Sequence, residues 1–216
     1  TLDATDPSRN PSTRCHGVSD GTEAESCMSF AWVLAAPDGR RLAQCASPAF
    51  GSQPSSYRAE GYGVVSLVKF LSFLKRFCLS GQSWSVKIGS DNESFITKVN
   101  QAMAYETPFP NVTMDPDYDL IAEVVQTVRL STLAVSFVHV LGHQDSRTDF
   151  DDLDLPSQLN VEADRLAGVF RQAHPSPNPY VPRLSTNRAQ LHLSGNSITR
   201  KYRSAIRYQT TAPTLD

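Results

Sequence analysis

The spacing of apolar residues along the 216-residue chain predicts alternating strands and helices. Short segments rich in apolar and β-branched residues predict five strands, the first three of which follow closely enough to form an antiparallel meander. The predicted strands are 14–20, 28–36, 41–50, 83–91 and 133–140. Apolar residues at intervals of three and four predict the helices 57–77, 93–105, 117–130 and 160–174. The order βββαβααβα predicts an α/β fold in which helices cover a mixed five-stranded sheet.

Two segments of different composition flank this body. Residues 1–13 are rich in Ser, Thr, Pro and Asp, and we expect them to be disordered. The stretch 175–182 contains four prolines and predicts a linker. Residues 197–209 could form a basic amphipathic helix. The predicted organisation is therefore a disordered segment 1–13, a folded body 14–174, and a Pro-rich linker with a basic tail over 175–216.

Composition narrows the class of protein. Apolar residues make up 40% of the chain, which is enough for a core, yet no run approaches the roughly 18 apolar residues of a membrane span. The four cysteines are widely spaced without a C-x-x-C pair, so the pattern indicates neither a zinc knuckle nor a disulfide scaffold. We expect an intracellular protein, cytoplasmic or nuclear, with no membrane partner.

Charge is unevenly distributed although the net charge is only -2. Residues 165–215 contain eight Lys or Arg and no Asp or Glu, which leaves 12 basic and 21 acidic residues in 1–164. Such asymmetry fits binding to a polyanion, and it equally fits a solvated tail that balances an acidic body.

Glu60 stands on the apolar face of the first predicted helix. Steps of four and three residues from Glu60 reach Val64, Leu67 and Leu71, so its carboxylate should point toward the core. An unpaired buried carboxylate costs several kcal/mol, and a positive or protic group must therefore meet it there.

Two further carboxylates follow predicted strands. Asp20 and Asp91 each end a strand, the position where open α/β sheets place their sites, and Asp164 lies early in the last predicted helix. Four acids drawn together could not all stay ionised without cations, and oxygen ligands favour Mg²⁺ or Mn²⁺. Two such ions could activate water and stabilise a leaving oxygen in phosphodiester cleavage. Taken singly, each acid could instead serve in a turn, a helix cap or a salt bridge.

Five short motifs occur together on this predicted frame. They are S-D-G-T at 19–22, R-A-E at 58–60, S-D-N at 90–92, G-H-Q-D at 142–145 and N-V-E-A-D-R-L-A at 160–167. In this order and these settings, residues 14–174 resemble type 1 ribonuclease H, most closely the ribonuclease H domain of retroelement reverse transcriptases. The resemblance implies a ribonuclease H-like catalytic domain that cuts the RNA strand of an RNA/DNA hybrid with two Mg²⁺ ions, for which Mn²⁺ could substitute.

The resemblance also implies roles for individual residues. Asp20, Glu60, Asp91 and Asp164 match the metal-binding acids, and His143 matches a mobile histidine that assists proton movement and product release. Asn160 matches an asparagine that opens the last helix, where it would cap the helix or support a ligand. Contacts to the hybrid are implied for a set of positions around the site, namely Gly21, Ser55, Ser56, Tyr57, Arg58, Asn92 and Asn160. The partners implied are the hybrid and, in a parent polyprotein, a reverse transcriptase polymerase domain.

Two departures from the family pattern bear on substrate binding. Asp91 is followed by Asn-Glu where the family often has Ser-Gln, and no Lys or Arg occurs from Val99 to Val128, so the basic substrate-binding handle of some members is missing. The basic tail is a candidate replacement, since cationic side chains supply most nonspecific affinity for nucleic acid.

Three alternatives remain open at the level of sequence. The chain could be a catalytically silent ribonuclease H-like module that binds nucleic acid or serves as a scaffold. It could also be a related integrase or transposase-type nuclease. His139 and His143 have the spacing of a helical zinc pair, although the alternation in 133–140 favours a strand there.

Overall fold

A computed structural model describes residues 13–24, 27–51, 53–77, 84–107, 110–174, 182–186, 191–193 and 195–211. The predicted disordered segment falls almost wholly outside these ranges, as do residues 175–181 of the predicted linker. The division of the chain at residue 174 remains a prediction. Among the described residues, no helix has both the length and the apolar character that a bilayer span requires.

A five-stranded mixed sheet forms the centre of the molecule. Its strands are β1 (Thr13–Ala24), β2 (Cys27–Ala35), β3 (Arg41–Pro48), β4 (Trp84–Ser90) and β5 (Ala134–His139). They lie in the order β3-β2-β1-β4-β5. The first three pair antiparallel, as the meander predicted, whereas β4 is parallel to both β1 and β5.

Helices cover both faces of the sheet, as the predicted α/β architecture requires. They are α1 (Ser56–Phe77), α2 (Glu93–Ala104), α3 (Tyr118–Ser131) and α4 (Leu155–Ala173). The main core lies between the first three helices and one face, where Leu67, Leu71 and Ile88 are fully buried. On the other face, Leu159 and Ala163 of α4 pack against β1 and β2. The element order βββαβααβα is confirmed.

The start of α4 differs from the prediction. The helix begins at Leu155, five residues before Asn160, because Asp154 caps it by accepting a hydrogen bond from the Ser157 amide at 3.0 Å. Pro156 stands in the first turn, where its missing N–H has no partner to lose. Asn160 is therefore an interior residue of α4, and its predicted helix-capping role is wrong.

The C-terminal segment continues the fold beyond α4. Two short strands, β6 (Leu191–Leu193) and β7 (Asn196–Ile198), pair antiparallel and precede α5 (Tyr202–Thr211). The predicted basic helix is thus present, but its first residues belong to β7.

Candidate active site

The parallel pairing of β1 with β4 places two carboxylates side by side. The register aligns Ser19 with Ser90; Asp20 follows within β1, and Asp91 directly follows the end of β4. The antiparallel pairing of β1 with β2 continues past Asp20, so β1 itself does not end there as predicted. The pairing of β1 with β4 ends at Ser19 and Ser90. The two strands separate beyond this point, and the two acids lie at the edge of the sheet that is left open.

Glu60 reaches this edge from the second turn of α1. The helix can approach β1 this closely because Gly21 has no side chain: a Cβ atom at Gly21 would lie 2.3 Å from the Glu60 backbone nitrogen. Gly63 repeats the arrangement one turn later, where a Cβ atom would lie 2.9 Å from the Ser19 Cβ. Glycine at these positions therefore determines how close the carboxylate of the helix comes to those of the strands.

The structure brings three of the four predicted acids into one group. Ligand oxygens of Asp20, Glu60 and Asp91 all lie within 4.8 Å of one another, and Asp20 and Glu60 are buried. Asp164 lies outside this group, in the third turn of α4, and is half-buried. It is still near enough to raise the pKa values of Asp20 and Asp91.

Burial and mutual repulsion make the group reluctant to ionise. Burial, followed by the charges of Asp91 and Asp164, raises the pKa of Asp20 to about 8, against a hydrogen bond from the Gly21 amide. Burial and the charges of Asp91 and Asp20 raise the pKa of Glu60 to about 9. Burial also raises the pKa of Asp91. Without a cation, the site therefore holds protons that ordinary carboxyl groups lose near pH 4.

Unpaired oxygens at the site fit a hard divalent cation. Glu60 Oε2, Asp91 Oδ1 and Asn160 Oδ1 are buried without a hydrogen-bond partner in the described part of the chain. Buried polar atoms are normally satisfied, and an unsatisfied carboxylate oxygen is a ready ligand for Mg²⁺ or Mn²⁺. The donors are oxygens with no thiolate among them, which suits these ions better than zinc.

Asparagines support two of the acids. The Asn160 side-chain amide lies 3.4 Å from Asp20 Oδ2, at the limit of a hydrogen bond. Asn92 caps α2 by accepting a hydrogen bond from the Phe95 amide at 2.9 Å, and its side chain is near enough to Glu60 to lower the pKa of that carboxyl group. Both contacts orient acids of the site. Their predicted contacts with a hybrid remain predictions.

The loop after β5 brings an imidazole to the site. His143 is exposed, adopts a left-handed backbone with φ 51°, and lies close enough to Asp91 to lower its pKa. In the described ranges, neither His143 nor His139 belongs to a group of three potential metal ligands, and His139 lies on a strand as the alternation predicted.

Gly142, which was not among the predicted site residues, lies against Asp91. A Cβ atom at Gly142 would stand 2.6 Å from Asp91 Oδ2, so only glycine leaves the carboxylate its position. The signal was present in the G-H-Q-D motif, where the glycine directly precedes the histidine.

The predicted substrate loop has a largely structural role. Ser55 caps α1 by accepting a hydrogen bond from the Arg58 amide at 3.2 Å. Tyr57 packs edge-on against Phe95, and Ser56 is exposed. Arg58 is fully buried between Asp117 and Asp119, each 2.8 Å away. The predicted contact of Arg58 with the hybrid is wrong for its side chain, because a buried guanidinium offers no surface to a ligand.

A mixed five-stranded sheet of this order with helices on both faces is the ribonuclease H-like fold. No family model matches the sequence, and no curated protein matches it.

Several solved structures resemble the fold of this chain. A ribonuclease H1 isolated from compost superposes with TM-score 0.53 at 14% identity, covering 76% of this chain and 99% of that one. The same compost protein in complex with an RNA/DNA hybrid gives 0.50 at 14% identity, covering 70% and 92%. The ribonuclease H domain of prototype foamy virus gives 0.52 at 14% identity, covering 75% and 95%.

Proposed function

We propose that the chain is a metal-dependent endonuclease that hydrolyses the RNA strand of RNA/DNA hybrids. The observation that carries this proposal is the group of three carboxylates within 4.8 Å at the open end of the parallel pairing, in a ribonuclease H-like fold. The raised pKa values of the three acids reflect negative charge that is costly when it is not neutralised, and their unpaired buried oxygens are ligands with which a divalent cation could neutralise it.

The acidic side chains would bind the metal ions, and His143 would transfer protons. Asp20, Glu60 and Asp91 would hold two Mg²⁺ ions, and Asp164 would complete the ligand set from α4. When bound, such ions stabilise the negative charge on the attacking and leaving oxygens of a phosphodiester. Asn160 and Asn92 orient Asp20 and Glu60, and the exposed imidazole of His143 beside Asp91 can accept or deliver a proton.

We further propose that the chain serves a reverse transcriptase of a retroelement polyprotein. Support comes from the foamy virus ribonuclease H domain, which has this fold. The proposal of a hybrid substrate is supported by the compost ribonuclease H1, which was solved in complex with an RNA/DNA hybrid. The wide minor groove of such a duplex displays the 2′-hydroxyls that distinguish its RNA strand.

A cleavage assay with three labelled duplexes tests this function. Hybrid, double-stranded RNA and double-stranded DNA are incubated with the protein in Mg²⁺, Mn²⁺ or EDTA. We expect cleavage of the RNA strand of the hybrid alone, only with metal, and its loss in Asp91→Asn. Asp151→Asn makes the same change at an exposed acid outside the group and should retain full activity.

Other outcomes would identify a different function. Hybrid binding without cleavage in either metal would indicate a silent module, and strand transfer on DNA ends would indicate an integrase-type nuclease. Cleavage that survives Asp91→Asn would contradict the proposed site.

A further inference from the structure

The C-terminal segment is anchored on the body of the protein. Glu123 of α3 is fully buried and accepts hydrogen bonds from the Ser185 hydroxyl and from the Thr186 amide at 2.9 Å. Leu184 is buried within the main core. Residues 182–186 therefore fix the segment on the face formed by α1 and α3.

A second anchor lies at the first turns of α1 and α3. The Asp117 amide donates to the Thr199 carbonyl at 3.0 Å, and Arg200 Nε lies 3.2 Å from Asp117 Oδ2. Asp117 also pairs with Arg58. Arg58 precedes Glu60 by two residues, which places it about 3 Å away along the axis of α1 and on the opposite side of the helix. The start of α5 is thus held beside the helix end that carries a carboxylate of the site.

The two sides of α5 differ in character. Tyr202 and Ala205 are half-buried, and burial together with the charge of Asp119 raises the pKa of Tyr202 to about 12. Lys201, Arg203 and Arg207 are exposed. Arg203 and Arg207 are four residues apart and share a helix face, and Lys201 directly precedes the helix.

This basic face lies on a molecule that otherwise repels polyanions. Residues 1–164 contain 21 acidic and 12 basic side chains, whereas 165–215 contain eight basic and no acidic ones. The stretch from Val99 to Val128, which includes most of α2 and α3, has no Lys or Arg. Phosphate neutralisation therefore has to come from elsewhere, and α5 offers three cations beside the start of α1.

We propose that Lys201, Arg203 and Arg207 form a phosphate-binding face that holds the duplex backbone of the hybrid beside the site. This inference rests on the proposed function, because it takes the hybrid as the polyanion. The sequence alone suggested that a basic tail could supply nonspecific affinity. In the structure, these cations lie at or beside the start of an anchored helix, so they would bind a defined stretch of the hybrid's phosphate backbone.

The test variant is Lys201→Glu/Arg203→Glu. Both residues lie at the N-terminal end of α5, where acidic side chains favour a helix, so the exchange should leave α5 folded. The control variant Arg14→Glu/Arg76→Glu changes net charge equally at two exposed residues. Arg14 lies six residues before Asp20 on β1, about 20 Å away. Arg76 lies near the far end of α1, about 24 Å along the axis from Glu60.

Binding is measured in EDTA, without catalysis, on a labelled hybrid over a series of salt concentrations. We expect the α5 variant to bind the hybrid at least tenfold more weakly at low salt, with the slope of log affinity against log salt reduced by about 2. The control should stay within twofold of the wild type. Unchanged affinity and slope in the α5 variant, or equal losses in both variants, would overturn the proposal.

Cleavage distinguishes this inference from the proposed function. With saturating hybrid and Mg²⁺, the α5 variant should cleave at the wild-type rate while its KM rises tenfold or more. A wild-type protein that binds hybrid through α5 but never cleaves it would refute the proposed function and leave the binding face standing. A KM equal to that of the wild type would refute the binding face and leave the nuclease standing.

Discussion

The Asp91 carboxylate can occupy its position because the neighbouring residue, Gly142, has no side chain. Because Gly142 Cα faces the Asp91 carboxylate, a methyl group there would meet Oδ2 at 2.6 Å and push it out of the group of acids. We expect Gly142→Ala to lower the rate of hybrid cleavage at least tenfold while the protein remains folded. Steady-state cleavage together with circular dichroism measures both effects.

Gly168 is a matched control for this substitution. It lies on α4, and nothing comes within 4 Å of a Cβ atom built there. Gly168→Ala should keep full activity and stabilise the helix by up to about 1 kcal/mol. Equal activities of the two alanine variants would show that Gly142 does not position Asp91.

At the scale of single residues, the sequence predicted which acids come together more accurately than it predicted the residues around them. Asp20, Glu60 and Asp91 could be found because strand ends and helix periodicity are local patterns. Gly142 and the buried state of Arg58 could not, since both depend on which loop faces which helix in three dimensions. The predicted substrate contact of Arg58 came only from the resemblance to ribonuclease H, which says nothing of how deeply this side chain is buried.

The elements α1, α3 and α5 are joined by charges. Burial raises the pKa of Asp117, and both Arg58 and Arg200 counter that rise. Removing Arg200 leaves Asp117 with one cation. We expect Arg200→Met to lower the free energy of unfolding by about 1 to 3 kcal/mol, measured by urea denaturation.

The adjacent cation supplies the control for this prediction. Lys201 is exposed, so Lys201→Met should change the free energy of unfolding by no more than about 0.5 kcal/mol. A stability of Arg200→Met equal to that of Lys201→Met would mean that the contact with Asp117 contributes nothing.

At the scale of elements, the core strands and helices followed from hydrophobic periodicity, and the boundary of α4 did not. The helix predicted from residue 160 leaves out Pro156, although Asp154 and a proline within the first turn are typical of a helix start. Residues 182–199 had no strong periodicity. The described contacts of Ser185, Thr186 and Thr199 are made with Glu123 and Asp117, which are more than 60 residues away along the chain.

For the whole molecule, the raised pKa values of Asp20 and Glu60 predict that the free energy of unfolding depends on pH. In EDTA near pH 7, the unfolded chain has lost the protons of its carboxyl groups, whereas the folded chain keeps protons on Asp20 and Glu60. The folded state binds more protons, so the free energy of unfolding must fall as the pH rises through about 8 to 9. Urea denaturation from about pH 7 to pH 8.5 measures this fall, since ordinary histidines titrate below that range.

Mg²⁺ should counteract the fall in the free energy of unfolding with rising pH. Cations that replace the protons stabilise the ionised site, so the stability gained on adding Mg²⁺ should be larger at pH 8.5 than at pH 7. Asp20→Asn removes one of the raised groups and should flatten the fall in EDTA. A metal-free stability that stays level or rises over this range would contradict the electrostatic picture of the site.

The contacts of Ser185, Thr186 and Thr199 with Glu123 and Asp117 also bear on biosynthesis. The ribosome releases the strands and helices of the sheet before the segment that hydrogen-bonds Glu123 and Asp117, at roughly 5 to 20 residues per second. Until that segment emerges, Glu123 lacks its hydrogen bonds from Ser185 and Thr186, and Asp117 lacks its contact with Arg200. Translation pauses before residue 182 should therefore prolong a window in which the nascent chain is vulnerable to proteases and aggregation.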